Sequence, residues 1–247
     1  MITDPWFYAA AVPAILLVGV SKSGFGAGFG SLGLPLMAMA VPVPQAAAIM
    51  LPLLAVMDFL GIRALWRERD RELLKLLLPA GLLGSLIGTL LFGVLSPRTV
   101  AAIVGAITLA FLALRTLYPP KADAPPPPDW VGFCFATVSG FTSFVAHAGG
   151  PPIGFYVLPL RLPPLRFVAT MAVFFAALNL SKWIPYAWLG LIDLTNMSTS
   201  LVLLPVAPLG VWAGLRISKV IPAAMFYRVF SVGLLLTGIK LLWDGLR

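Results

Sequence analysis

Apolar residues fill this chain in runs of about 20, and polar residues are largely confined to the short gaps between them. Six runs, about 45–62, 73–94, 99–117, 166–188, 196–215 and 224–243, each match the ~20 residues a helix needs to cross a bilayer. Two further apolar stretches, about 6–40 and 130–160, are too long for one crossing, and each is interrupted near its middle. The first interruption is SGFGAGFGSLGLP, Ser23 to Pro35; the second is SGFTSFVAHAGGP, Ser139 to Pro151. They open on the same three residues 116 positions apart, carry glycine towards the end and close on proline. The pattern predicts an all-α polytopic membrane protein, since a spanning barrel would alternate polar and apolar residues.

Irregular backbone at membrane depth survives only where protein or a water-filled cavity satisfies its polar groups. Each interrupted stretch therefore predicts a re-entrant helical hairpin. A helix enters, the chain turns on glycine, and a second helix returns with Pro35 or Pro151 in its first turn, where no N–H donor is needed. The unpaired N–H groups and partial positive charge at the start of a helix suit an anion. Two such starts meeting at the midplane would be the half-sites of one anion pocket.

PPKADAPPPPD, Pro119 to Asp129, predicts a stiff, extended, cytoplasmic linker over 119–129. It separates two units of similar plan. Residues 1–118 hold hairpin 6–40 and the first three spans; residues 130–247 hold hairpin 130–160 and the last three. Beyond the hairpins the offset grows to 121, which lays Ala48, Met50 and Ala55 on Ala169, Met171 and Ala176, and Asp58 on Asn179. The units read as a repeat.

Loop charges orient them. Arg63, Arg67, Arg69 and Arg71 place the loop between the first two full spans in the cytoplasm. If each interrupted stretch returns to the side it entered from, the linker falls inside. So do the loop with Arg161 and Arg166 and the loop with Arg216 and Lys219, while the Asp193 loop falls outside. A hairpin plus three crossings reverses the chain, so the halves take opposite orientations and both termini are expected in the periplasm. That is the inverted-repeat plan of secondary transporters.

Composition narrows the classes further. With 60% hydrophobic and 11% charged residues, against about 25% charged in soluble domains, and a mean hydropathy of +0.99, the chain is not a soluble domain. The net charge of +8 sits mainly in short loops and speaks for membrane topology, not nucleic acid. Cys134 is the only cysteine, so neither a disulfide framework nor a cysteine metal cluster is expected. No basic segment precedes the first apolar run, which is expected to stay in the mature protein. The single histidine and the lack of H-E-x-x-H or G-x-S-x-G predict no enzyme, and no cofactor is expected. No ATP-binding motif is present either.

Ionisable groups at membrane depth are costly, which makes them candidates for function. Lys22 adjoins the first interruption; Asp58 and Asn179 match across the repeat; Lys182 follows Asn179 by three and shares its helix face. His147 falls opposite Ser31 in the alignment of the two interruptions and is suited to hold an anion or carry a proton. Ser23, Ser139, Thr142 and Ser143 offer hydroxyls. Gly24, Gly26, Gly33, Gly140, Gly149 and Gly150 offer close backbone approach, and Phe25 and Phe141 recur as walls. Asp58 and His147 are the candidate proton-coupling groups. Each residue also has a structural alternative. The lysines can anchor at the interface, Asp58 can pair with a neighbouring cation, hydroxyls can bond their own helix, and glycines can serve packing.

With both motifs in place, the chain resembles the TauE/SafE (sulfite exporter) family. The resemblance rests on the glycine-rich stretch leading into Leu34-Pro35-Leu36, and on its relaxed copy His147-Ala148-Gly149-Gly150-Pro151-Pro152 after the charged loop and the linker. It covers essentially the whole chain. It implies a permease of the bacterial inner membrane that exports sulfite, sulfoacetate or related small sulfur-containing anions. The family pattern carries over to Gly24, Gly26, Gly28, Gly30 and Gly33 and to Gly149 and Gly150; Phe144, Val145 and Ala146 depart from it. The resulting expectation is a secondary transporter with a small anion, the lipid bilayer and a coupling ion such as a proton as partners. The alternatives are an anion channel, a cation- or proton-coupled permease built on Asp58, and a non-transporting membrane scaffold.

Overall fold

The computed structural model describes residues 1–26, 30–91, 96–117 and 125–246. Gly28, residues 92–94 of the second span and residues 119–124 of the linker lie outside the described residues. Among those described, all regular structure is helical. Asp4 accepts from the Trp6 N–H and Pro5 opens α1 (Pro5–Phe25), which ends on Gly26 in the left-handed conformation, φ 63°. The chain returns through a 3₁₀ turn (Gly30–Leu32) and the short α2 (Gly33–Met37). Then come α3 (Val43–Leu65), α4 (Arg71–Leu90), capped by the Asp70 carboxylate, and α5 (Pro97–Leu117).

The second half repeats the order. α6 (Asp129–Ala146) ends on His147, φ 50°, and α7 (Gly150–Val157) returns with proline in its first turn. It is followed by α8 (Pro164–Ser181), α9 (Trp183–Trp188), α10 (Leu194–Leu203), α11 (Val206–Val220) and α12 (Ala223–Leu246).

Five helical segments are long and apolar enough to cross a membrane: Pro5–Phe25, Pro44–Glu68, Arg71–Leu90, Pro164–Trp188 and Ala223–Leu246. The pair α10 and α11, bent by 49°, makes a sixth. The protein is thus a polytopic helical membrane protein. Its outer face carries the expected apolar belt, with Leu86, Trp188, Leu209, Trp212 and Ile239 exposed. Two expected spans are less regular than the hydropathy runs: 166–188 is interrupted at Lys182, and 196–215 bends ahead of Val206 and extends to Val220. Pro205 removes a backbone donor at that bend.

Contacts give the helix directions. Lys22, late in α1, meets Asp58, late in α3, so the two run parallel and residues 26–42 bring the chain back to its starting side. Lys182, just beyond α8, reaches Ser143, late in α6, so α7 and its flanks do the same in the second half. Glycine lets four helices pack backbone on backbone. Gly19 and Gly24 of α1 lie on Gly210 and Gly214 of α11; Gly81 and Gly84 of α4 lie on Gly140 and Thr137 of α6. Each of these pairs runs parallel: Gly19 and Gly24 meet Gly210 and Gly214 in order, and Leu76, Gly84 and Gly88 meet Gly132, Thr137 and Phe144 in order. A Cβ on Gly84 would stand 1.8 Å from the Thr137 carbonyl oxygen, and one on Gly140 1.9 Å from that of Gly81, so no side chain fits. α5 and α12 cross antiparallel, Gly105 beside Leu242 and Ala102 beside Gly245.

One end of the bundle carries Arg63, Arg67, Arg69 and Arg71 and also the α7–α8 loop. Arg166 Nε lies 3.1 Å from Asp70 Oδ2, and the Asp70 N–H donates to Thr170 Oγ1. Pro5 and the end of α12 lie at the opposite end.

Candidate functional site

Asp58 stands 15 residues into α3 and Asn179 15 residues into α8, so each lies ~22 Å along its helix. The two helices run in opposite directions and the side chains meet, Asn179 Nδ2 donating to Asp58 Oδ2 at 2.8 Å. The other carboxylate oxygen lies 2.6 Å from Lys22 Nζ. The opposite face of the Asn179 amide, Oδ1, accepts from Lys182 Nζ at 3.3 Å, and Lys182 also donates to Ser143 Oγ at 3.0 Å. The result is one connected relay, an ion pair from Lys22 to Asp58 continued by hydrogen bonds through Asn179 and Lys182 to Ser143, in which the amide points its donor at the carboxylate and its acceptor at the lysine. All five residues are buried, Lys182 completely.

This relay backs a cavity of about 50 Å³ lined by Val18, Lys22, Gly30, Ser31, Leu34, Met50, Leu54, Ser143, His147, Gly149, Gly150, Phe175 and Asn179. It lies where the two apolar clusters of the bundle meet, between the turn of the first hairpin and the turn of the second. At 10–15 Å³ for one water-sized centre, it holds about four heavy atoms. His147 Nε2 is 3.0 Å from the Tyr186 hydroxyl, which also reaches the Phe144 carbonyl oxygen at 3.5 Å. His147 adopts the left-handed conformation at the helix cap, a place usually given to glycine. That backbone turns the imidazole into the cavity lining.

The electrostatic count is uneven. Lys22 has its carboxylate. Lys182 has none within ion-pair distance among the described residues, and its partners, Ser143 and Asn179, are neutral. With both lysines protonated, the cluster of two ammonium groups and one carboxylate carries an excess positive charge in a buried setting. An uncompensated buried charge costs several kcal/mol, which an anion in the cavity would offset.

Of the expected residues, Lys22, Ser31, Ser143, His147, Gly149, Gly150 and Asn179 line this cavity, and Asp58 and Lys182 stand directly behind it. The rest are placed elsewhere. Gly24 and Gly140 are helix-contact glycines on α11 and α4. Gly26 is the α1 cap against Phe167, and Gly33 lies under Val18. Phe25 stacks on Phe226 at 5.8 Å, and Phe141 packs over α4 by its backbone beside Gly84. Ser139 spends its hydroxyl on the Gly149 carbonyl oxygen across the second turn, and the Thr142 hydroxyl is shared between the Val138 carbonyl oxygen of its own helix, at 2.9 Å, and that of Ala148, at 3.1 Å. Ser23 is buried facing Gly61.

The apolar walls are instead Val18, Leu34, Met50, Leu54 and Phe175. Sequence reasoning also missed Tyr186, although its spacing was available. Residues 179, 182 and 186 follow i, i+3, i+7 on one helical face.

No curated protein and no solved structure matches the chain. The family profile described as Sulfite exporter TauE/SafE matches residues 11–241. With nearly its whole length in that match and its helices apolar enough to span a membrane, the chain belongs to the sulfite exporter TauE/SafE family.

Proposed function

We propose that the protein is a secondary transporter, not an enzyme. In this reading it exports small sulfur oxyanions of the sulfite type and binds them in the cavity between the two hairpin turns. The observation that carries the reading is the buried, net-positive relay behind that cavity, with Lys22, Ser31, Ser143 and His147 in its lining. Room for about four heavy atoms matches a sulfite ion better than an organosulfonate. A cation site built on Asp58 is disfavoured, because both carboxylate oxygens are engaged, by Lys22 and by Asn179.

The two halves are taken as inverted repeats that rock about this site. In support, α1 runs parallel to α11 and α6 to α4, while α5 crosses α12 antiparallel, as a two-fold axis in the membrane plane would require. The arginine-bearing end is assigned to the cytoplasm, and both termini to the periplasmic side of the inner membrane, by the positive-inside rule. His147, held by Tyr186, and Asp58 are the groups assigned to proton coupling.

Flux of radiolabelled sulfite into proteoliposomes tests this. Saturable uptake that is lost in Lys22→Ala and His147→Ala, and kept in Arg98→Ala on the exposed surface, is the expected result. Uptake indifferent to Lys22 and His147, or no uptake at all, would overturn it.

A further inference from the structure

We infer that the site is matched to an anion of single charge, and that Asp58 sets this valence. The inference rests on the transport reading above and concerns the same cavity. With an anion bound and both lysines protonated, Lys22 and Lys182 contribute two positive charges and Asp58 one negative, leaving one positive charge for the occupant. The position that matches Asp58 in the second half is Asn179, whose neutral amide joins the carboxylate to the second lysine. A second carboxylate there would cancel the excess; an amide in place of Asp58 would double it.

A monoanion neutralises the buried cluster completely. A dianion of the same size replaces the excess positive charge by an excess negative one of equal magnitude; its attraction to the site grows in proportion to its charge, but its desolvation cost grows with the square of that charge and outweighs the gain. The lining offers a divalent anion no further fixed cation: besides Lys22 and Asn179 it holds only Ser31, Ser143, His147, glycine and apolar side chains. Of the two forms of sulfite, hydrogen sulfite is then the species bound. Each ion exported then carries one proton of its own, in addition to any that His147 or Asp58 moves.

The test separates valence from size. Methanesulfonate and sulfate have the same number of heavy atoms and nearly the same shape, and differ by one charge. Each is used to compete with labelled sulfite in proteoliposomes at fixed pH. The wild-type protein is expected to be inhibited at least ~10-fold more strongly by methanesulfonate than by sulfate. Asp58→Asn, which raises the site charge by one, is expected to invert that order. Lys182→Gln, which lowers it by one, is expected to weaken both competitors at least ~10-fold.

Sulfate competing as well as methanesulfonate against the wild type would overturn the inference while leaving anion transport standing. A folded Asp58→Asn protein that keeps the wild-type order would do the same. Should Asp58→Asn not fold, the wild-type comparison decides alone. Absence of sulfite uptake in the wild type would overturn the transport reading, and this inference with it.

Discussion

The ion pair between Lys22 and Asp58 sets a large and specific energy at stake. At 2.6 Å and an effective dielectric of about 20, two unit charges attract by about 6 kcal/mol. Desolvation of both groups cancels much of this, and removing one partner of such a buried pair costs about 3–5 kcal/mol. Lys22→Met leaves the Asp58 carboxylate behind the cavity with only Asn179 as partner. At 2–4 °C per kcal/mol, the expected fall in Tm is about 6–20 °C. Asp58→Asn is expected to cost less, because Lys22 lines the cavity and can be hydrated there. The double variant Lys22→Met/Asp58→Asn removes both charges and should recover most of the loss, though not the transport. Thermal unfolding in detergent, followed by the fraction that stays monodisperse, measures all three. A single Lys22→Met loss below about 1 kcal/mol, or a double variant no more stable than Lys22→Met, would refute the reasoning.

Three further outcomes follow from the geometry. Gly140→Ala drives a Cβ into the Gly81 carbonyl oxygen, 1.9 Å away, and is expected to cost about 1–3 kcal/mol. Gly190, at positive φ and with nothing within 4 Å of such a Cβ, should lose only the ~1–2 kcal/mol of left-handed strain on the same change; both are read from Tm. His147→Gly relieves left-handed strain of about 1–2 kcal/mol but loses a hydrogen bond of about 1 kcal/mol. Stability should therefore stay within about 1 kcal/mol while sulfite flux falls. Leu54→Ala removes one apolar wall of the cavity, and ethanesulfonate should gain on methanesulfonate as a competitor by about 10-fold or more.

Much of this architecture was legible in the sequence because lipid leaves few alternatives. Apolar runs of about 20 residues had to be helices, and the arginine-bearing loops at 63–71 and 161–166 share one end of the bundle. The Asp58–Asn179 match became a 2.8 Å hydrogen bond, since residues at equal depth on antiparallel helices meet. What sequence did not reveal was the direction each side chain takes. Gly24 and Gly140 carry the repeated motif yet serve helix contact, while Gly149 and Gly150 line the cavity; one residue type answers both needs. The Ser139 hydroxyl is consumed by the Gly149 carbonyl oxygen freed at the turn, which only the turn's geometry reveals. The walls at Met50, Leu54 and Phe175 had no signal, because they are apolar residues in an apolar run.

During synthesis α1 reaches the membrane long before α11, the helix it packs against. Lys22 and Asp58 emerge within one half and can enter the bilayer as a neutral pair. Lys182, arriving later, finds Asn179 already beside it and Asp58 waiting in the half made before. The bare backbone at Gly19 and Gly24, however, faces lipid until residues 210–214 are made. The α4–α6 contact closes midway through translation, the α1–α11 contact only near its end. A ribosome stalled before Val206 would therefore leave behind an inserted chain whose first helix still lacks its neighbour, the form a membrane protease can recognise and remove.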